Sequence, residues 1–426
     1  MSELETLVIV GAGLAGAKAV QALREQGFTG RLVLVGAETH LPYERPPLSK
    51  GYLVGSALRD SMLVHPEGWY AKQRVELRLG EVVTGLDRAA HLVHVADGEP
   101  LRYDRLLLTT GASPRTLPVP GADATGLHYL RTVEDSDTLR AVLAQAQTQT
   151  TGSRLVVIGA GWIGLEVAAA ARQAGADVTV VEAAALPLLG VLGPEAATVF
   201  AQLHREHGVN FRFDATVSAI RTTAGAATGV ILGRDAGGGE VLPADAVLVA
   251  IGATPNTAIA TAAGLEVDNG VLTTAGLRTS DPDIFASGDV ANPLHPFYGH
   301  RVRVEHWANA LNQPQVAAAS MLGETGATWD RLPYFYTDQY DLGMEYVGYP
   351  HPAAAGEAGY DEVVFRGDVA GREFIAFWLR QQRVVAGMAV NTWDMIEEIT
   401  TLIRSRDRVD TARLIDPAAE LSTVTG

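Results

Sequence analysis

The sequence predicts an α/β protein with two doubly wound parallel sheets, followed by an α+β carboxy-terminal region. Three observations carry this reading. A strand, a glycine-rich turn and a helix follow one another near the amino terminus, the same succession returns from Leu155, and beyond residue 326 aromatic and alternating stretches replace the glycine turns. The length of 426 residues suits two or three cores better than one.

The first strand is Leu7-Val8-Ile9-Val10, an apolar β-branched run. It feeds the turn Gly11-Ala12-Gly13-Leu14-Ala15-Gly16 and a helical stretch through Ala22 and Leu23. A second strand, Leu32 to Val35, follows, and the acidic Glu38 lies near its end, 27 residues after Gly11. This βαβ setting separates a dinucleotide fingerprint from a chance G-x-G-x-x-G. Each glycine has a mechanical reason. The first makes the tight turn out of the strand, the second lets the backbone approach a pyrophosphate at the helix N-terminus, and the third lets helix and strand pack closely.

The second copy reads Leu155 to Ile158, then Gly159-Ala160-Gly161-Trp162-Ile163-Gly164, a helix through Ala168 to Arg172, and a strand Val178 to Val181 closing on Glu182. Both copies have a later echo in which an apolar strand runs into small residues and a proline: Leu106 to Pro114, and Val247 to Pro255. The chain therefore carries an internal duplication of a whole Rossmann-like dinucleotide-binding domain, and two nucleotide sites are expected. Glu182 stands 23 residues after Gly159, with no lysine or arginine between it and Arg205. A carboxylate there hydrogen-bonds a free ribose 2′-hydroxyl and repels a 2′-phosphate, so the second site is expected to take NADH rather than NADPH. Gly159, Gly161, Ile163 and Gly164 would cradle it, together with Gly252 in the Ala250-Ile251-Gly252 turn.

Composition narrows the chemistry. With 47% hydrophobic and 19% charged residues the chain can bury a sizeable core. No apolar run approaches the roughly 18 residues that span a bilayer. The amino-terminal Met1-Ser2-Glu3-Leu4-Glu5 is acidic rather than a basic signal region, so a soluble cytoplasmic protein without membrane attachment is expected. Thirty-three basic against 49 acidic residues give a net charge of -16, which argues against nucleic acid as a partner. Cysteine is absent. That excludes a disulfide, a thiolate nucleophile, a cysteine-ligated cluster and a dithiol relay, so redox chemistry must rest on a bound cofactor or a partner. No metal site is expected.

The segment Thr279 to Val290 brings a short apolar strand to Gly288-Asp289 and opens into a predicted helix, where Asp289 is suited to accept from sugar hydroxyls. It resembles the second flavin-binding motif of flavoproteins with two dinucleotide-binding domains, which makes the first nucleotide FAD. The segment Leu41-Pro42-Tyr43-Glu44-Arg45-Pro46-Pro47-Leu48-Ser49-Lys50 resembles, more narrowly, the signature of NADH-dependent ferredoxin reductases coupled to oxygenases, the putidaredoxin reductase-like flavoproteins. The resemblance runs through the whole chain, including Tyr129-Leu130-Arg131-Thr132, Glu305-His306-Trp307-Ala308-Asn309-Ala310 and Tyr334-Phe335-Tyr336-Thr337-Asp338-Gln339-Tyr340.

The resemblance implies FAD contacts at Gly13, Ala15, Lys50, Val83, Arg131, Asp289 and Trp307, with Gly11 and Gly16 shaping the turn. Many relatives carry an acidic residue where this chain has Ala37, and Glu38 takes its place in the expected ribose contact. Lys50 is implied to lie near the flavin N5 edge, paired with Glu166 on the helix after the second glycine turn. A cation there would stabilise the anionic reduced flavin, and the carboxylate would hold the cation in place. Lysine occurs only at 18, 50 and 72, so the other 30 of the 33 basic residues are arginine. Trp307 is expected to cover the flavin face or to lie between flavin and partner.

These expectations assemble into an FAD domain at 1–115 and 250–325, an NAD domain at 116–249 and a carboxy-terminal domain at 326–426. The implied activity is an NADH:ferredoxin oxidoreductase passing electrons through FAD to a transient [2Fe-2S] ferredoxin that feeds an oxygenase. An NADH oxidase, a quinone or rubredoxin reductase, and an apoptosis-inducing-factor-like NADH-sensing flavoprotein remain as alternatives, and the oligomeric state stays open. Arg301 and Arg303, or Arg404, Arg406 and Arg408, are candidates for a local positive patch. Met395, Ile399, Leu402 and Ile403 repeat at helical spacing and are expected to form a packing face rather than a membrane-facing stripe.

Overall fold

The computed structural model describes residues 4–148, 153–233, 239–350 and 359–425, so Met1 to Glu3 lie outside the described residues. The chain forms two compact units: Met1–Glu44 with Arg59–Ser113 and Thr254–Pro333, and Arg45–Leu58 with Pro114–Ala253 and Tyr334–Gly426.

The first unit is built on a parallel sheet in the order Ile284–Ala286, Arg105–Leu108, Thr6–Val10, Arg31–Gly36, Val75–Leu79. Successive residues of a strand face opposite sides, and here both sides are covered. Leu7, Ile9, Leu32 and Leu34 pack against Ala17, Val20 and Leu23 of the helix Leu14–Glu25, and against Ala317, Ala318 and Met321 of the helix Trp307–Met321. Val8, Val10, Val33 and Val35 face the other way, onto Val93, Val95 and Leu101. Those residues belong to a three-stranded antiparallel sheet, Val83–Asp87, Leu92–Val95 and Leu101–Arg102. Burial on both faces is why these strands read as unbroken apolar runs.

One expected element differs. Gly288–Val290 is a three-residue 3-10 turn, and the chain then continues as the strand Ala291–His295 rather than as a helix. Pro293 disfavours a helix there, because it lacks an N–H and clashes with the preceding turn. Val271–Thr273 instead pairs in parallel with Ala291 to Pro293.

The second unit repeats the plan. Its parallel sheet runs Asn210–Arg212, Asp177–Val181, Arg154–Ile158, Ala246–Val249, Leu127–His128, and a three-stranded antiparallel sheet follows: Val217–Thr223, Ala226–Leu232 and Val241–Pro243. Val156, Ile158 and Val181 pack onto Val230, Leu232 and Leu242 from that smaller sheet. The duplication therefore covers eight strands, with one asymmetry. The fifth parallel strand comes from far downstream, at Ile284–Ala286, in the first copy, and from upstream, at Leu127–His128, in the second.

The second unit also contains a five-stranded antiparallel sheet in the order Tyr334–Gln339, Leu342–Gly348, Arg383–Val390, Glu373–Arg380, Glu362–Asp368. The helix Ile396–Ser405 lies on it with Ile399, Leu402 and Ile403 buried, so the apolar stripe is a packing face. Gly387 permits the approach, since a Cβ there would come within 2.5 Å of the Ile399 side chain. Trp378 is fully buried and donates from Nε1 to the Leu192 carbonyl at 3.0 Å, while Trp162 contacts Phe200 and Phe335. Arg45–Leu58 is held in this unit by Ser136, whose hydroxyl donates to the Leu48 carbonyl, and by Tyr52, whose hydroxyl donates to Asp137. Among the described residues no helix is long and apolar enough to cross a membrane.

Candidate functional site

In each copy the three glycines of the turn divide into two that the protein's own packing requires and one that it does not. Gly11 has φ +116°, and a Cβ on it would lie 2.2 Å from the Thr109 carbonyl oxygen; Gly159 has φ +100°, with Ala250 O at 2.4 Å. A Cβ on Gly16 would meet Gly11 O at 2.1 Å, and one on Gly164 would meet Gly159 O at the same distance. These four close the strand–turn–helix corner. The middle glycines differ. Gly13 and Gly161 have ordinary φ values of -89° and -78°, and nothing stands within 4 Å of an added Cβ.

Neither backbone conformation nor packing explains a glycine at those two positions, whereas an external ligand approaching the backbone does. The helices that start there, Leu14–Glu25 and Trp162–Gln173, have no side-chain cap and no acidic residue in the first turn. Their leading N–H groups and the positive end of the helix dipole therefore remain for an anion. The residues present fit a dinucleotide pyrophosphate in both copies.

In the first unit the return segment meets the first turn. Gly288 has φ +78°, and its added Cβ would lie 3.1 Å from that of Ala15, so Asp289 is carried to the start of the helix Leu14–Glu25. Gln313 fixes this corner by accepting from the Gly288 N–H at 2.8 Å. Glu38 lies just past the strand Arg31–Gly36 and accepts from the Tyr43 hydroxyl at 2.5 Å. Val83 begins the antiparallel sheet, paired with Val95. Trp307 opens its helix and donates from Nε1 to Glu44 at 3.1 Å.

The second unit holds Lys50, Arg131, Glu166 and the second turn. Lys50 Nζ lies 2.7 Å from Glu166 Oε1, with side chains 17% and 4% exposed. The Lys50 cation also stands over the Tyr336 ring, 5.5 Å from its centroid. Ser49 donates its hydroxyl to Glu166 Oε2, and Thr337 donates to Oε1 at 2.6 Å. The carboxylate is thus a buried anion with a cation and two hydroxyl donors, the condition under which such a charge is tolerated.

Ile163, 45% exposed, sits one helical turn before Glu166 at the mouth of the glycine turn. Glu182 closes the strand Asp177–Val181 and accepts from the N–H groups of Ala160 and Ala184 at 2.7 and 2.9 Å. A carboxylate offers about four lone-pair sites, so acceptor capacity remains for a ribose. Gly252 adopts φ +98° and accepts from the Arg115 N–H at 2.9 Å. Arg131 precedes the helix Val133–Thr148, its N–H donating to Asp135 and its carbonyl accepting from Arg45.

Sequence reasoning missed the groups that hold these residues: Ser49 and Thr337 on Glu166, Tyr43 on Glu38, Glu44 on Trp307, and Gln313 on Gly288. Ser49 and Glu44 lie inside the double-proline segment and Thr337 inside the aromatic run, but nothing local reports their partners. Of the candidate arginines, Arg301, Arg404, Arg406 and Arg408 are exposed. Arg301 donates to the carbonyls of Thr273 and Asn292, and Arg303, 9% exposed, pairs with Glu305 at 2.7 Å. Arg303 therefore acts as an internal brace, whereas Arg301 remains exposed beside its carbonyl partners. Among the described residues no group of three or more His, Cys, Asp or Glu could hold a metal ion.

Residues 5–314 match the family described as pyridine nucleotide-disulphide oxidoreductase, and residues 334–425 match the reductase C-terminal family. The chain is 42% identical to the ferredoxin--NAD(+) reductase component of the anthranilate 1,2-dioxygenase system of Burkholderia cepacia, covering 98% of this chain and 99% of the relative. It is 35% identical to rubredoxin-NAD(+) reductase of Pseudomonas putida over 90% of this chain and 95% of that one. Among solved structures it resembles putidaredoxin reductase in its covalent complex with putidaredoxin, with TM-score 0.91 and 38% identity over 99% and 98% of the two chains.

Proposed function

The chain belongs to the pyridine nucleotide-disulphide oxidoreductase family, and we propose that it is an FAD-dependent NADH:ferredoxin oxidoreductase serving an oxygenase. The observation that carries this is its 42% identity, end to end, with the reductase component of a dioxygenase system. The absence of cysteine supports it, because the disulphide chemistry in the family's description has no residues here to perform it.

In this reading the first unit's turn takes FAD, with Gly11, Gly13, Ala15 and Gly16 at the pyrophosphate, Glu38 and Asp289 at sugar hydroxyls, and Val83, Arg131 and Trp307 as further contacts. The second unit's turn takes NADH, with Glu182 at the adenosine ribose and Ile163 and Gly252 lining the site. When bound, the flavin supplies the exchange between a two-electron donor and one-electron acceptors. The chain's own residues bind, orient and set the field. Lys50 lends the flavin a cation, Glu166 keeps that cation in place, and no side chain has to carry a proton. The acceptor is a [2Fe-2S] ferredoxin that docks transiently in the cytoplasm.

The test is a comparison of acceptors with purified holoprotein. NADH should bleach the flavin much faster than NADPH, and steady-state turnover with a panel of [2Fe-2S] ferredoxins should exceed turnover with rubredoxin, quinone or dioxygen. Equal turnover with quinone or dioxygen would overturn the reading in favour of an oxidase. A long-lived charge-transfer band with negligible turnover would favour an NADH-sensing flavoprotein.

A further inference from the structure

Glu166 terminates a buried polar chain that the proposed reaction does not by itself require. Thr337, fully buried at the end region of the strand Tyr334–Gln339, donates to Glu166 Oε1 at 2.6 Å. A hydroxyl has a single hydrogen, so this one is committed to the carboxylate. Its oxygen accepts from Gln339 Nε2 at 3.2 Å. That contact orients the Gln339 amide, turning its oxygen to His204 Nε2 at 2.8 Å.

An amide oxygen can only accept, so His204 must carry hydrogen on Nε2. His204 lies on the helix Leu189–Glu206 with 0% exposure, and its Nδ1 has no partner among the described residues. Burial pushes its pKa down to about 4, which keeps the ring neutral. The linking hydrogen bonds of His204, Gln339 and Thr337 therefore all run the same way, and the series ends on Glu166. All four residues lie in the second compact unit.

We propose that Thr337, set by Gln339 and His204, is the positioning residue that fixes the Glu166 carboxylate and, through it, the Lys50 ammonium. The aligned dipoles polarise one another toward the anion and replace the water that burial excludes. Thr337 touches no substrate or cofactor in this account. This inference rests on the assignment of Lys50 to the flavin.

The experiment uses FAD-loaded Thr337→Ser, Thr337→Val, Lys50→Ala and the double variant Lys50→Ala/Thr337→Val, read by stopped-flow bleaching with NADH and by the flavin midpoint potential. Thr337→Ser, which keeps the hydroxyl, should stay within about twofold of wild type. Thr337→Val should slow bleaching about tenfold, the scale of one lost hydrogen bond to a charge, and should displace the midpoint. In the Lys50→Ala background the same change should have no further effect. If Lys50→Ala alters the midpoint while Thr337→Val matches wild type, the positioning role is overturned and the Lys50 assignment stands. If Lys50→Ala leaves both readouts unchanged, the Lys50 assignment fails and takes the proposal with it. Should Thr337→Val not retain FAD, Gln339→Met replaces it, and an unchanged midpoint in that variant overturns the proposal.

Discussion

Glu166 is 4% exposed in its side chain, and a carboxylate so enclosed is stable only with partners. Replacing it by glutamine leaves Lys50 without its anion. Because Lys50 keeps 17% exposure, Glu166→Gln should cost about 2 kcal/mol in a urea melt, below the usual range for breaking a fully enclosed pair. His204 makes a pH prediction whose sign follows from its depressed value of about 4, against 6.5 for the free side chain. Above pH 6.5 both folded and unfolded states are neutral, and the full stability is present. Between 6.5 and 4 the unfolded chain binds a proton that the folded chain refuses, so stability falls as pH drops. From pH 7 to pH 5 the loss attributable to His204 is about 2 kcal/mol, and His204→Gln should remove that part of the slope in urea melts. Equal slopes in the two proteins would refute it. At this scale the sequence was only half legible. Resemblance pointed to Lys50 and Glu166 as a pair, but Thr337 is 171 positions from Glu166, and no local pattern announces that distance.

The glycine turns belong to the scale of elements, where the sequence was most legible. The two glycines that shape each corner lie five residues apart, and their constraints are short-range. The two roles of glycine can be separated by mutation. Gly164→Ala drives a Cβ to 2.1 Å from a backbone carbonyl that cannot step aside, so it should yield little folded protein. Gly161→Ala meets nothing within 4 Å and should keep a wild-type melting temperature, while NADH binding by fluorescence titration weakens about tenfold or more. Unchanged NADH affinity in Gly161→Ala would remove the ligand as the reason for that glycine. The Gly288-Asp289 segment marks the limit of local reading. A glycine-aspartate after an apolar strand resembles a helix start, yet Pro293 and parallel pairing with Val271–Thr273 make the next element a strand.

For the whole molecule, the chain's course matters more than its segments. Residues 45–58 leave the first glycine-turn fold and join the second compact unit, and residues 334–426 join that unit as well. The antiparallel sheet there is part of a shared core: Trp378 is fully buried and bonds to Leu192, Phe335 lies against Trp162, and Arg372 pairs with Glu206. A chain ending at Pro333 should therefore fail to give a soluble, cooperatively unfolding protein, as judged by expression yield and near-ultraviolet circular dichroism. A soluble truncated protein with a sharp thermal transition would show the sheet to be dispensable. The same cut removes Thr337 and Gln339, so any surviving flavin-loaded fragment should share the altered midpoint of Thr337→Val.

The amino-acid order alone specified the two parallel-sheet folds, the two dinucleotide turns and the exclusion of thiol chemistry. Each βαβ turn depends on residue type and on spacings of about thirty positions or fewer, over which chain connectivity itself enforces proximity, and the thiol exclusion depends on composition alone. Tertiary structure decided which unit receives the double-proline segment, which arginines are braces, and how a carboxylate stays charged in the interior. The carboxylate depends on side chains more than a hundred positions away, Ser49 and Thr337 on Glu166, and all of these outcomes depend on hydrogen-bond directions that only a packed interior imposes.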